Sequence, residues 1–384
     1  MRRREPLDNG REVLYNISTF PARIGAGPEN RGQGCLPPRL RGYGRCALWK
    51  TGKRLPGKTE KERVEMIDIL TIGELLIDLT QIGMNEAGVP LFAANPGGAP
   101  ANVAVAAARL GAKTAFMGKV GRDGFGRYLR RVLRENSVED AGLREDASPT
   151  TMAIVSVDSS GERDFQFVRG ADCALTPEEV DTDAIRETKV LHFGSVSLTR
   201  GSAREATLFA AEKAREKGVL VSYDPNYRAA LWESREEALE WMRRPLHLVD
   251  VLKISEEEVS LLTDAAGPEE GSRRLEEAGI PLILITLGGD GVFCRWRGRS
   301  WRQPGVPVRV ADTNGAGDTF LGAVLSRLCR RARGPLEELE AAELKDILAF
   351  ANRAAAFTCS RSGAIPAMPA LEELFDREGR PILP

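Results

Sequence analysis

The chain has 384 residues, 42% of them hydrophobic and 28% charged, with Lys plus Arg at 54 against 55 for Asp plus Glu. That is a soluble globular composition with length for roughly two to three domain-sized units, and the even charge leaves no electrostatic footprint for nucleic acid or a lipid surface. Six cysteines without a Cys-x-x-Cys pair, and only two histidines, His192 and His247, argue against a disulfide framework, a zinc cluster and histidine-rich metal chemistry, and favour a reducing, cytoplasmic setting.

The balance conceals an uneven distribution. Residues 1–65 carry 15 Lys/Arg against 7 Asp/Glu, a surplus of +8, whereas residues 66–384 stand at −9. The leading segment is rich in Gly and Pro and has no sustained apolar periodicity, so it reads as a disordered basic leader. It lacks the apolar run of a secretory signal, and its Glu5, Asp8, Glu12 and Glu29 do not suit a transit peptide. Met66 stands immediately before the first clear strand, and translation is expected to start near it; a targeting or regulatory extension is the other reading. No stretch of 18 or more apolar residues occurs, so no membrane span is expected.

From residue 67 onward, short β-branched apolar runs alternate with longer stretches of helical period, the signature of parallel βαβ units. Strands are expected at Ile67 to Ile72, Thr114 to Val120, Val190 to Gly194, Val219 to Tyr223, Val251 to Ile254, Leu282 to Leu287 and Gly291 to Trp296. Helices are expected at Ala101 to Leu110, Phe125 to Glu135, Ser202 to Lys217, Ser234 to Met242, Glu256 to Thr263, Asp318 to Cys329 and Leu344 to Thr358. The fold class is therefore α/β: a doubly wound, mostly parallel sheet flanked by helices. The regions of about 75–98 and 150–172 alternate with period two around turns such as Ser159-Ser-Gly161, and read as a small antiparallel β lid over one end of the core. The domain spans 66–375, followed by a tail at 376–384.

The sharpest chemistry lies in Ala311-Asp-Thr-Asn-Gly-Ala-Gly-Asp-Thr-Phe320, which opens a helix. Small residues at Gly315, Ala316 and Gly317 let a ligand approach the backbone, and the N–H groups of a helix N-terminus favour an anion. A carboxylate at Asp318 in the same turn could take a proton from a hydroxyl while those amides hold the charge of a transferred phosphoryl group. There is no Gly-x-x-x-x-Gly-Lys-Ser/Thr and no protein-kinase motif set, so neither of those transfer machineries applies.

This string resembles the C-terminal signature of the ribokinase-like sugar kinases, the phosphofructokinase B family. The segment from Asn95 to Gly111, with Gly118 to Gly126 after it, is similar to the family's N-terminal signature. The resemblance covers residues 67 to about 370 and implies an ATP-dependent sugar kinase using magnesium, in many relatives also a monovalent cation such as K+. It puts Asp318 in the role of general base and the Gly315 to Asp318 amides in the role of anion hole. Asp78, Gly97, Gly98, Asn102 and Arg169 fall at sugar-side positions. Lys253, Ser255, Thr286, Gly288, Gly291 and Asn352 fall on the nucleotide side. Glu258 would act on magnesium through water, and Asp312, Asn314 and Gly363 belong to the loops of the monovalent-cation site. Ser255 departs from the family's usual Asn, which weakens only that one role.

Strings such as Pro96 to Asn102, His192 to Ser195 and Ser222 to Asn226 resemble fructokinases more than ribokinases or adenosine kinases, so fructose is the expected substrate, with ribose and 2-keto-3-deoxygluconate as alternatives. A homodimer through the lid is common among relatives. The competing reading is a kinase fold that binds a partner and no longer catalyses; the intact Gly315 to Asp318 turn speaks against it.

Overall fold

The computed structural model describes residues 66–157, 163–330, 336–376 and 378–382. The expectations for residues 1–65 lie outside the described residues. In chain order, β1 (Ile67–Ile72) is followed by β2 (Leu76–Met84), β3 (Pro90–Gly97), α1 (Ala99–Arg109), β4 (Thr114–Gly121), α2 (Gly124–Glu135) and β5 (Val138–Asp146). Then come β6 (Met152–Val157), β7 (Arg163–Val168), α3 (Thr182–Arg186), β8 (Thr188–Gly194), α4 (Ala203–Glu216), β9 (Leu220–Asp224), α5 (Arg235–Arg243) and β10 (Val251–Ser255). The last part holds α6 (Glu256–Thr263), α7 (Pro268–Glu277), β11 (Leu282–Thr286), β12 (Val292–Trp296), β13 (Arg299–Gln303), α8 (Ala316–Leu328) and α9 (Ala341–Cys359).

Nine strands form the main sheet in the order β13-β12-β11-β10-β9-β8-β1-β4-β5, parallel throughout except for β12 and β13. Its central strands read as continuous apolar runs because both faces are covered. Leu70, Ile72, Leu191, Phe193, Val221 and Tyr223 point to one face and pack under α4 and its neighbours. Ile69, Val190, Val251, Leu282 and Leu284 point to the other, under α8, α9 and α1. Every strand and helix that the period identified is present. β5, β13, α3 and α7 escaped it for one physical reason: each is peripheral, α3 burying only Ile185 of its five residues. β5 and β13 are the sheet's edges, with sequences Val-Glu-Asp-Ala-Gly-Leu-Arg-Glu-Asp and Arg-Ser-Trp-Arg-Gln, and α7 buries only Gly271, Ser272 and Leu275.

The lid is a separate four-stranded sheet of order β3-β2-β6-β7. Each hairpin pairs antiparallel, as its alternation implies, and the two hairpins meet through a parallel pairing of β2 with β6. Past residue 375 the chain turns back, with Asp376 accepting from the Arg380 and Glu378 amides and Ile382 donating to the Leu374 carbonyl. No helix among the described residues is long and apolar enough to cross a membrane.

One close approach sets up the site. A Cβ on Gly322 of α8 would stand 2.9 Å from the Val103 carbonyl oxygen and 2.8 Å from the Ala106 Cβ of α1, so the two helices touch backbone to backbone. Gly322→Val should therefore cost roughly 1–3 kcal/mol by overpacking. Urea unfolding would detect the loss, and an unchanged midpoint would show that the helices separate freely.

Candidate active site

The sheet order reverses at β1, from which the chain runs to β4 and β5 on one side and later to β8 and β9 on the other. A crevice opens at such a switch point, beyond the carboxyl ends of the strands. Here it is a cleft of about 520 Å³ lined by residues that follow β1, β9 and β3, by the first turns of α1 and α8, and by the loop 362–366.

Asp318 lies at its floor. Gly315, with φ 73°, caps α8 in the left-handed conformation, and a Cβ there would also meet Ala364 at 2.9 Å, so glycine answers both demands. The amides of Gly317 and Asp318 make no hydrogen bond among the described residues, whereas the Ala316 amide closes a turn onto the Thr313 carbonyl at 3.3 Å. The helix N-terminus therefore presents two open donors with its positive dipole end. Asn102 Nδ2, from the first turn of α1, donates to Asp318 Oδ2 at 2.8 Å, and Asn102 Oδ1 is buried without a partner. Burial and the nearby Asp224 push the Asp318 carboxyl up to about 6, against the pull of the Asn102 hydrogen bond, Lys253 and Arg228.

Asp78 faces the same cleft from β2, its carboxyl also pushed up to about 6 by burial, with Arg228 opposing and Asp318 adding to the rise. Gly97 lies so close that a Cβ on it would stand 2.3 Å from Asp78 Oδ2. Gly98, at φ 110°, caps α1 without a side chain because a Cβ would reach within 2.4 Å of the Glu74 carbonyl oxygen. Asp312 and Asn314 complete the rim: Asp312 accepts from the Asn314 amide at 3.1 Å and from the Gly363 amide at 3.0 Å, tying the loop before α8 to the loop after α9.

The nucleotide-side expectations gather along the same edge of the sheet. Lys253 Nζ donates to Asp224 Oδ2 at 2.9 Å. Burial draws the Lys253 pKa down, but Asp224 and Glu258 outweigh it and leave it above its ordinary value. Ser255 is the N-cap of α6 and shares a capping box with Glu258. Thr286 ends β11, and Gly288 and Gly291 shape the turn after it. Asn352 donates its amide to the Gln303 and Pro304 carbonyls at 3.2 and 2.7 Å.

Arg169 is placed otherwise than expected. Its guanidinium is withdrawn behind the cleft, 4% exposed, in an ion pair with Asp172 and a 2.8 Å bond to Thr199 Oγ1. A buried guanidinium needs a carboxylate, and Asp172, which Thr151 also holds, supplies it three residues away. The arginine that does face the cleft is Arg228, whose charge acts on both Asp78 and Asp318. Glu74 was also missed: it is 2% exposed, one oxygen accepts from the Ala99 amide at 2.9 Å and the other has no partner. Burial raises its carboxyl to about 7. The available signal was an acidic residue directly after an apolar strand, in Gly73-Glu-Leu-Leu-Ile-Asp78.

Two buried carboxyls, an anion-accepting helix terminus and an ammonium at the switch point of a doubly wound sheet, beneath a small β lid, define the ribokinase-like class of phosphotransferases. The family profile described as pfkB family carbohydrate kinase matches residues 66–371. Fructokinase-1 of Oryza sativa is 41% identical over 315 residues, covering 80% of this chain and 96% of the relative. Among solved structures, the fructokinase of Xylella fastidiosa with bound ATP aligns with a TM-score of 0.75 at 32% identity, over 80% of this chain and 96% of that one. The fructokinase of Vibrio cholerae with fructose, ADP and calcium bound aligns with a TM-score of 0.71 at 32% identity, over 79% and 96%. The chain belongs to the pfkB family of carbohydrate kinases, phosphotransferases with an alcohol group as acceptor.

The two cleft carboxyls lend themselves to direct titration. Carboxyl 13C NMR should give midpoints near 6 for Asp78 and Asp318 against an ordinary 3.8. If Asp318 is the base, only its ionised form accepts a proton, and turnover should fall as pH drops through about 6, by roughly tenfold per unit below it. Midpoints near 3.8 would mean a cleft wetter than its packing implies.

Proposed function

We propose that the protein is a fructokinase, transferring the γ-phosphoryl group of ATP to the 6-hydroxyl of D-fructose. The observation that carries the chemistry is the placing of the buried Asp318 carboxyl, held by Asn102, on the same helix turn as two open backbone amides. The choice of sugar rests on the relatives named fructokinase and on the fructose bound to the Vibrio cholerae enzyme.

In this reading Asp78 and Asn102 grip sugar hydroxyls, with Gly97 and Gly98 allowing close approach. Asp318 takes the proton of the attacking hydroxyl, and the Gly317 and Asp318 amides hold the charge that develops on the transferred group. Arg228 adds a cation at the mouth. Lys253, Ser255, Thr286, Gly288, Gly291 and Asn352 form the nucleotide side. The lid, whose β2 and β3 lead straight into the cleft, closes to exclude the water that would compete with sugar.

The residues suit a magnesium ion carried mainly by nucleotide phosphates. Both Glu258 oxygens already accept backbone amides, from Ser255 at 2.7 Å and Tyr227 at 2.6 Å, so this lone carboxylate has only its second lone pairs to offer, as contact through water requires. Bound there, the ion would neutralise phosphate charge. A monovalent ion such as K+ would be held by the two loops that Asp312 ties together at Asn314 and Gly363. We place the protein in the cytoplasm, on the support of Cys173, Cys294, Cys329 and Cys359, all unpaired.

The reading is tested by an ADP-release assay over fructose, ribose and 2-keto-3-deoxygluconate. Fructose should lead in kcat/KM, and Asp318→Asn should keep sugar and nucleotide binding yet lose roughly two or more orders of magnitude in kcat. Another leading sugar would overturn the substrate, and near-normal turnover of the variant would overturn the base.

The far end of the β2–β3 hairpin exposes Ile82, Met84, Val89, Leu91 and Phe92, each at least 41%, and β3 is an open sheet edge. A second copy covering this end would remove both liabilities. Light scattering should give a dimer that Leu91→Glu converts to monomer; a monomeric wild type would refute it.

A further inference from the structure

Asp224 takes no part in the mechanism above, and its surroundings call for a reason. It ends β9 and is 1% exposed. Its Oδ1 accepts from the Asn226 amide at 3.1 Å, and its Oδ2 accepts from Lys253 Nζ at 2.9 Å. Lys253 comes from the adjacent strand β10, and its side chain is 8% exposed. On its far side the ammonium abuts the first turn of α8, where a Cβ on Gly317 would stand 3.0 Å from Nζ. A chain of contacts thus runs from the β9 loop through Asp224 and Lys253 to the residue preceding Asp318.

A buried ion pair is a poor source of stability, because the desolvation of two charges offsets most of their attraction, and an apolar pair of similar volume would serve a core as well. This pair sits where its charges act on another group. Asp224 raises the proton affinity of Asp318 and Lys253 lowers it. The remaining groups facing Asp318 are Asn102 from α1, Arg228 from the loop after β9 and Asp78 from β2. If Asp224 lost its charge, the ammonium would be free to pair with Asp318 and hold it as a weak base.

We propose that Asp224 is a positioning residue for phosphoryl transfer: it fixes the Lys253 ammonium against the first turn of α8, where the transferred group would lie, and screens Asp318 from that positive charge. This rests on the kinase reading, but its decisive readout needs no substrate.

The test compares the full-length wild type with Asp224→Asn and Lys253→Met, following the Asp318 carboxyl by 13C NMR across pH and the kcat of fructose phosphorylation. In Asp224→Asn the Asp318 midpoint should fall by roughly half a unit or more, and in Lys253→Met it should rise. Turnover in Asp224→Asn should drop about tenfold or more, with KM for fructose within about twofold, as for a group acting on the transition state alone. An Asp318 midpoint unmoved in a folded Asp224→Asn, or a kcat within twofold of an active wild type, would overturn the proposal. Should Asp224→Asn not fold, an unmoved midpoint in Lys253→Met would overturn it equally. A wild type inactive on fructose would sink the substrate reading alone, because the midpoints are read without sugar.

Discussion

A carboxylate removed from water needs neighbours that accept its charge without neutralising it, and the cleft is arranged around that demand at Asp318. The N-terminus of α8 provides a positive dipole end, Asn102 donates a single neutral hydrogen bond, and the charges of Lys253 and Asp224 act in opposite directions. The outcome is a carboxyl ionised at neutral pH yet basic enough to take a proton. A closer cation would make it too weak a base, and a purely apolar pocket would keep it protonated.

That arrangement exists only because α1 and α8 lie in contact. Gly322 lets the two helices approach, the stripe of small residues in α1 packs beside it, and both helices begin at the cleft. Cleft geometry and core packing are one constraint here: the Asn102 to Asp318 bond joins residues 216 apart in sequence, and it is held by the helix contact beneath it. The sheet's reversal at β1 supplies the crevice, and the parallel pairing of β2 with β6 joins two hairpins distant in the chain into a single lid.

The buried charges beyond Asp318 follow a similar logic. Arg169 with Asp172 anchors the base of the lid, where β7 leaves for the core, and Thr151 ties the start of β6 to the same carboxylate. Glu74 fastens the start of α1 from below. Arg169, Asp172 and Thr151 stay out of the cleft lining, which Glu74 joins, and each of these groups fixes an element beside the cleft. Their cost in desolvation is consistent with a site held rigid around a hydroxyl and a phosphoryl group.

Local patterning determined a good deal by itself. The alternation of β-branched runs with helical stretches is enough for a doubly wound sheet, since a strand buried on both faces must be apolar throughout. The Gly315 to Asp318 turn announces its chemistry because a helix start, small residues and a carboxylate are all local properties. Asp78, Gly98 and Asn102 were singled out through the resemblance to the sugar-kinase signatures, and the fold brings all three to the cleft. Tertiary structure alone decided the rest. Arg169 and Arg228 are alike as residues in a chain, and only the fold buries one against Asp172 and turns the other toward Asp78. The weight of Asp224 arises from strand register, which sets it beside Lys253 across two neighbouring strands. Edge elements such as β5 and β13 are polar because they are half-solvated, so their strand character comes from partners the sequence cannot show. Charge pairing and pKa depend on distance through space, and the chain order of residues does not contain that distance.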